Sequence, residues 1–110
     1  MKNLVAESIK EHIEIVNNID KETITSIKNA ASVCGLSLKK GNKMMFIGNG
    51  GSAGDAQHLA TELIVRYEKN RRPLRALALT TDTSLITACS NDFSFDKIFS
   101  RQIEGLGKRG

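Results

Sequence analysis

A chain of 110 residues holds one domain at most, which excludes a second. Hydrophobic content of 40% with 25% charged residues and a single proline excludes a disordered or linker-rich chain and fits a folded, soluble one. The net charge of +4 gathers at Lys69-Asn70-Arg71-Arg72-Pro73-Leu74-Arg75 and at Lys108-Arg109. Nucleic acid or phosphorylated ligands would both suit that charge, but no aromatic residues are interleaved to stack bases, so a solvated basic loop is expected and nucleic acid is not.

Val5, Ile9, Ile13, Val16 and Ile19 recur at spacings of three and four, which predicts an amphipathic first helix. Asp20 is placed to cap a second helix with the stripe Ile24, Ile27, Ala31, Cys34 and Leu38, carrying Lys39 and Lys40 in its last turn and ending at Gly41. This pair has more apolar surface than a small two-layer domain needs, so one face is expected to pack against another subunit. Met44 to Ile47 is too short for a helix and does not alternate, as a strand buried on both faces reads, and this implies a parallel sheet.

Gly48-Asn49-Gly50-Gly51-Ser52-Ala53-Gly54-Asp55 follows, with four glycines in seven residues. Such a loop can take positive φ and approach a ligand closely, while the helix start behind it directs unpaired N–H groups and a partial positive charge into the same space. Ser52 and Asp55 have the spacing of a capping box, predicting a helix from Ser52 to about Tyr67 or Glu68 with Ala56, Leu59, Ala60, Leu63 and Tyr67 on its apolar side. Leu74 to Leu79 reads as a second strand with a polar exit at Thr80-Thr81-Asp82-Thr83-Ser84. Leu85 to Cys89 follows as a short helix, Asn91-Asp92 as a loop, and Ser94 as the cap of a last helix using Phe95, Ile98, Phe99, Ile103 and Leu106.

The plan is α/β: a parallel sheet flanked by helices and preceded by two helices, with residues 1–41 a helical extension and residues 43–110 the start of the core. Two strands make a very small sheet with exposed edges, so the chain reads as the front part of a larger domain, ending after its second strand. Cys34 and Cys89 sit among helix-like neighbours without CxxC or Cys/His spacing and are expected to be reduced, buried thiols. No apolar run resembles a signal peptide or a membrane span, which makes the cytosol the default compartment.

His58 and Glu62 are four apart on the helix behind the glycine loop, with Asp55 one turn before and Arg66 one turn after. A solvated face with i, i+4 pairs is the plain reading, and the glycine loop shifts the weight toward a site. The pair suits two metal ligands or an acid–base function, but zinc needs three or four protein ligands and neither cysteine completes the set. For acid–base work the fitting reaction is proton transfer beside a carbonyl, with Glu62 as the base. Asn49, Ser52, Asp82, Asn91 and Asp92 fall at or beyond the carboxyl ends of strands, where open α/β sheets bind ligands, although each is also a good cap or turn former. Gly48-x-Gly50-x-x-Ala53 matches a dinucleotide fingerprint weakly, but the second strand ends in threonines rather than the acidic ribose ligand, and there is no G-x-x-x-x-G-K-[ST] loop. No nucleotide cofactor is expected.

Gly48-Asn49-Gly50-Gly51-Ser52-Ala53-Gly54-Asp55-Ala56-Gln57-His58 closely resembles the sugar isomerase (SIS) family, and within it the phosphoheptose isomerases. Glu62, Arg66-Tyr67, Ala78-Leu79-Thr80, Asn91-Asp92-Phe93 and Phe99-Ser100-Arg101-Gln102 extend the resemblance in order and at matching separations. It implies interconversion of D-sedoheptulose 7-phosphate and D-glycero-D-manno-heptose 7-phosphate through an enediolate, on the way to nucleotide-activated heptose in bacterial lipopolysaccharide or capsule.

By motif position, Asn49, Gly50, Gly51, Ser52, Glu62, Asn91 and Asp92 would bind the substrate. Glu62 would be the base and a zinc ligand, with His58 another zinc ligand. The resemblance also implies a homotetramer. It covers only the front part of the family's domain. The Ser/Thr-rich phosphate loop and the Gln and His near the family's C-terminus have no counterpart here, so the 110 residues alone are expected to be inactive. The competing class is a non-enzymatic SIS module, either a sugar-phosphate sensor or a protein associated with the replication initiator. The initiator-associated relative keeps the histidine and replaces the base, whereas both His58 and Glu62 are present in this sequence.

Overall fold

A computed structural model describes residues 3–109. The chain divides into two compact units, Met1–Gly35 and Leu36–Gly110, with the boundary inside the second helix.

The first unit contains α1, Leu4–Asn17, and most of α2, Lys21–Lys39. Both start on side-chain caps, Asp20 as its position before the second helix predicts and Asn3 as an addition of the structure. Asn3 Oδ1 accepts from the Ala6 N–H at 3.2 Å and Asp20 Oδ1 accepts from the Thr23 N–H at 2.7 Å, each satisfying one of the orphan donors of a first turn. The expected apolar stripe of α1 is exposed along its length, from Val5 through Ile9 and Ile13 to Val16, as is Ile19 just beyond it.

In the second unit α2 ends as its glycine predicts. Gly41 takes φ +82°, the left-handed conformation that closes a helix, and its N–H donates to the Leu38 carbonyl at 3.0 Å. Two short strands follow, β1 at Met44–Phe46 and β2 at Ala76–Ala78, paired in parallel with Met44 opposite Ala76 and Phe46 opposite Ala78. Each strand is shorter than its apolar run, with Ile47, Leu74, Arg75 and Leu79 outside the paired residues, although the Met44 N–H on the Arg75 carbonyl and the Leu79 N–H on the Phe46 carbonyl, each at 2.9 Å, carry the bonding one residue further. Between them lies α3, Gly51–Ile64, and beyond β2 come α4, Thr83–Asp92, one 3₁₀ turn at Phe95–Lys97, and α5, Ser100–Leu106.

The small core of this unit consists of Ala56 and Ala60 from α3, Leu79, Cys89 from α4 and Ile98. Among the described residues one polar side chain is buried, Gln102, and its Nε2 donates to the Leu79 carbonyl at 2.9 Å and to the Ile98 carbonyl at 2.8 Å, tying α5 to the exit of β2. Both cysteines are free thiols, Cys89 buried and Cys34 half-buried.

Five expectations are corrected. The capping box is not used: α3 begins at Gly51, one residue early, and its N-cap is Gly50, whose φ of +54° suits glycine and which makes no side-chain cap. The helix also stops at Ile64, short of Tyr67, because the carbonyls that would carry it on have other donors. Arg71 Nη2 takes the Glu62 carbonyl at 2.7 Å, while Arg71 Nη1 at 2.8 Å and the Leu74 N–H at 3.0 Å share that of Leu63. The small residues Ala56 and Ala60 are the buried face of α3, while Leu59 and Tyr67 are exposed. Asn91 and Asp92 are not a loop but the last turn of α4, closed by the Phe93 N–H on the Cys89 carbonyl. The last helix is split, since Ser94 opens only the 3₁₀ turn and makes no side-chain cap there.

Candidate active site

The glycine loop turns from β1 into α3 within four residues, and the geometry requires two of its glycines. At Gly48 a Cβ would collide with the Ser52 carbonyl oxygen and stand 2.6 Å from its carbon, so the loop folds tightly onto the first turn of α3 only without a side chain. Gly50 supplies the positive φ. Gly51 and Gly54 have nothing within 4 Å of where a Cβ would stand, and face open space. The turn is pinned by the Ser52 N–H on the Asn49 carbonyl at 3.0 Å and the Ala53 N–H on that of Gly50 at 3.1 Å. Asn49, Gly50, Gly51 and Ser52 are all exposed, a polar surface with helix-start N–H groups among them. Thr80, at the exit of β2, donates its hydroxyl to the Ala53 carbonyl at 3.4 Å and so joins the second strand to this turn.

His58 and Glu62 lie on α3 as their spacing requires, with Nε2 and Oε1 3.1 Å apart. The histidine is 74% exposed and the carboxylate only 30%, so Glu62 is held partly out of water with its imidazole partner on the open side. A half-buried carboxylate with one oxygen fixed is suited to proton transfer. Arg66 is not part of this stripe, because α3 ends two residues before it. Among the described residues no group of three or more His, Cys, Asp and Glu side chains is placed to hold a metal, so His58 and Glu62 offer two donors of a zinc shell and no third.

Asn91 and Asp92 bond to each other, Nδ2 to Oδ1 at 3.0 Å, and no described hydrogen bond or ion pair connects them to the glycine loop or to His58 and Glu62. Asp92 instead borders an open depression of about 310 Å³ shared with Leu85, Phe93 and Arg101, where the Arg101 guanidinium lies 4.4 Å from the centroid of the Phe93 ring. Asp82 is a helix cap, accepting from the Leu85 N–H at 2.9 Å. The sequence reading missed Arg71 and Gln102 as positioning groups. Neither has a local signal, since the carbonyls through which they tie elements together, Glu62 and Leu63 for Arg71 and Leu79 for Gln102, lie eight or more residues away, and their near partners Arg72 and Ile98 join nothing distant.

No helix among the described residues is long and apolar enough to cross a membrane. The SIS domain family model matches residues 8–109. The phosphoheptose isomerase of Paramagnetospirillum magneticum is 53% identical over 94% of this chain and 54% of its own length. That of Nitratidesulfovibrio vulgaris is 44% identical over 99% and 52%. Among solved structures, the phosphoheptose isomerase from Neisseria gonorrhoeae superimposes with a TM-score of 0.76 at 40% identity, covering 94% of this chain and 51% of that one. The enzyme from Francisella tularensis gives 0.78 at 34% identity, covering 99% and 58%. The chain thus spans about half the length of the curated relatives it matches.

Proposed function

The chain belongs to the SIS domain family, and from that premise we propose that it carries the sugar-binding loop and the catalytic base of a phosphoheptose isomerase. The reaction is the interconversion of D-sedoheptulose 7-phosphate and D-glycero-D-manno-heptose 7-phosphate. The observation that carries this reading is the His58–Glu62 pair, 3.1 Å apart, on the helix that the glycine loop opens.

In the ketose-to-aldose direction Glu62 removes a proton from the carbon bearing the terminal hydroxyl, and the electron pair moves onto the carbonyl oxygen to give an enediolate. Return of a proton to the neighbouring carbon, with transfer of one between the two oxygens, completes the isomerisation without an external oxidant. His58 orients the carboxylate through Nε2. The loop backbone at Asn49, Gly50 and Gly51, with the Ser52 hydroxyl, receives the sugar, and Asn91 and Asp92 bind it from the end of α4.

His58 and Glu62 are also the two donors this chain would give to a zinc ion, whose other ligands would come from outside residues 1–110. Such an ion would polarise a substrate oxygen. The setting we propose is a cytoplasmic homotetramer serving lipopolysaccharide or capsule heptose synthesis, and the exposed stripe of α1 is the face available for subunit contact. The test is Glu62→Gln in the catalytically active form of the protein. Turnover of sedoheptulose 7-phosphate should disappear while the circular dichroism spectrum is unchanged, and undiminished turnover would remove Glu62 as the base.

A further inference from the structure

Three cations converge at the opposite ends of the strands from the glycine loop. The parallel register of Met44 with Ala76 sets the residues before each strand, Lys43 and Arg75, side by side, and the Met44 N–H bonds the Arg75 carbonyl at 2.9 Å. Together with Lys108 and Ser37 they line a cleft of about 80 Å³.

Two of these cations are held in position by backbone. Lys43 Nζ donates to the Leu106 carbonyl at 2.6 Å and Arg75 Nη1 donates to that of Gly41 at 2.8 Å. Each bond uses one donor of an ammonium that has three or a guanidinium that has five, so both heads are fixed with donors to spare. Among the described residues no carboxylate side chain lines the cleft, and the two ion pairs, Lys10–Glu14 and His58–Glu62, lie elsewhere. Three like charges around one small space repel each other, and an anion between them would turn that repulsion into attraction.

We propose that this cleft binds a tetrahedral oxyanion, either inorganic phosphate or the phosphate group of a monoester. The arginine fork and the lysine ammonium suit such oxygens, Ser37 adds a hydroxyl, and the volume admits the anionic head but not a sugar. The site is separate from Gly48–Ser52, so its ligand does not compete with the sugar. Its effect is to join the starts of β1 and β2 to the end of α5, and it stabilises the fold by mass action.

The experiment titrates the protein with sodium phosphate, with glycerol 1-phosphate, and with sodium chloride at matched ionic strength, following backbone amide shifts and the unfolding midpoint. Saturable shifts at Lys43, Arg75 and Lys108 with either phosphate, and not with chloride, are expected. Tighter binding of one of the two phosphates identifies the source. Lys108, which makes no hydrogen bond or ion pair among the described residues, is the safe position to change. Lys108→Gln should weaken binding about tenfold, the scale of one lost charge-assisted bond, and leave the midpoint in chloride unaltered. Equal shifts in chloride, shifts confined to Gly48–Ser52, or undiminished affinity of Lys108→Gln would each overturn the proposal.

Discussion

Replacing Gly48 by alanine separates the two reasons a glycine can stand in this loop. The new Cβ would lie 2.6 Å from the Ser52 carbonyl carbon and 2.7 Å from its Cβ, and nearer still to the carbonyl oxygen. Non-bonded carbons rest about 3.5–4.0 Å apart, so β1 and the first turn of α3 must separate by roughly 1 Å. The obstacle is mainly helix backbone and does not swing aside as a side chain tip would, so the cost belongs at the upper end of overpacking, about 2–3 kcal/mol. Gly54→Ala is the internal control. It lies inside α3 with nothing within 4 Å of its Cβ, and alanine there should gain about 0.5–1 kcal/mol from helix propensity. Gly50→Ala isolates the backbone term: the space is open but φ is +54°, and the expected loss is about 1–3 kcal/mol. Urea unfolding followed by circular dichroism should place Gly48→Ala about 1–3 M below Gly54→Ala at the midpoint. Coincident midpoints for those two variants would refute the close approach of Ser52 to residue 48.

Arg71→Ala should cost about 1–2 kcal/mol, because the carbonyls of Glu62 and Leu63 lose their guanidinium donor at the end of α3. Limited proteolysis should then cut faster between residues 65 and 75. Gln102→Leu leaves the Leu79 and Ile98 carbonyls without their side-chain donor in a buried place and should cost about 1–3 kcal/mol in the same urea assay, unlike a change at exposed Glu104. The Thr23 N–H holds the Asp20 carboxyl below its usual range, so the unfolded chain binds the proton more readily than the folded one. That contribution is present above about pH 4, the unfolded value, and is lost as pH falls through the folded one, so helix content from α2 should drop on acidification and Asp20→Asn should flatten the profile.

The elements whose signals are local were legible in the sequence. Asp20, Asn3 and Gly41 act on atoms within four residues of themselves, and two of these three were identified from spacing alone. The His58–Glu62 pair was legible for the same reason, since one helical turn fixes the separation once the helix is granted. The start of α3 was misread because Ser52 and Asp55 satisfy the capping pattern on paper, while the preceding Gly50 reaches a backbone conformation open to glycine and the helix starts there instead. Its end was misread because periodicity continues to Tyr67 while the carbonyls at Glu62 and Leu63 are claimed by Arg71 and Leu74. The loop reading of Asn91-Asp92 failed because polar residues suit a final helical turn as well as a loop, and only the Phe93 N–H on the Cys89 carbonyl decides between them.

Charge shows the same limit at longer range. In the sequence Arg71 and Arg75 are members of one basic run, best read as a solvated loop. In the fold they have different tasks. Arg71 closes the carbonyl end of α3, and Arg75 reaches back 34 residues to the Gly41 carbonyl just beyond α2. Lys43 does the same for α5 across 63 residues. Helix carboxyl ends carry partial negative charge and unpaired carbonyls, and cations placed there satisfy both. Three of the basic residues behind the +4 net charge are therefore spent on helix ends rather than spread as a general attraction for polyanions. The same arrangement concentrates what remains: Lys43 and Arg75 are drawn to one edge of the sheet because the ends of α5 and α2 both come to it, and Lys108 follows the end of α5 into the same cleft. A basic run that sequence could describe only as a sum is resolved by the fold into two helix caps and one localised anion site.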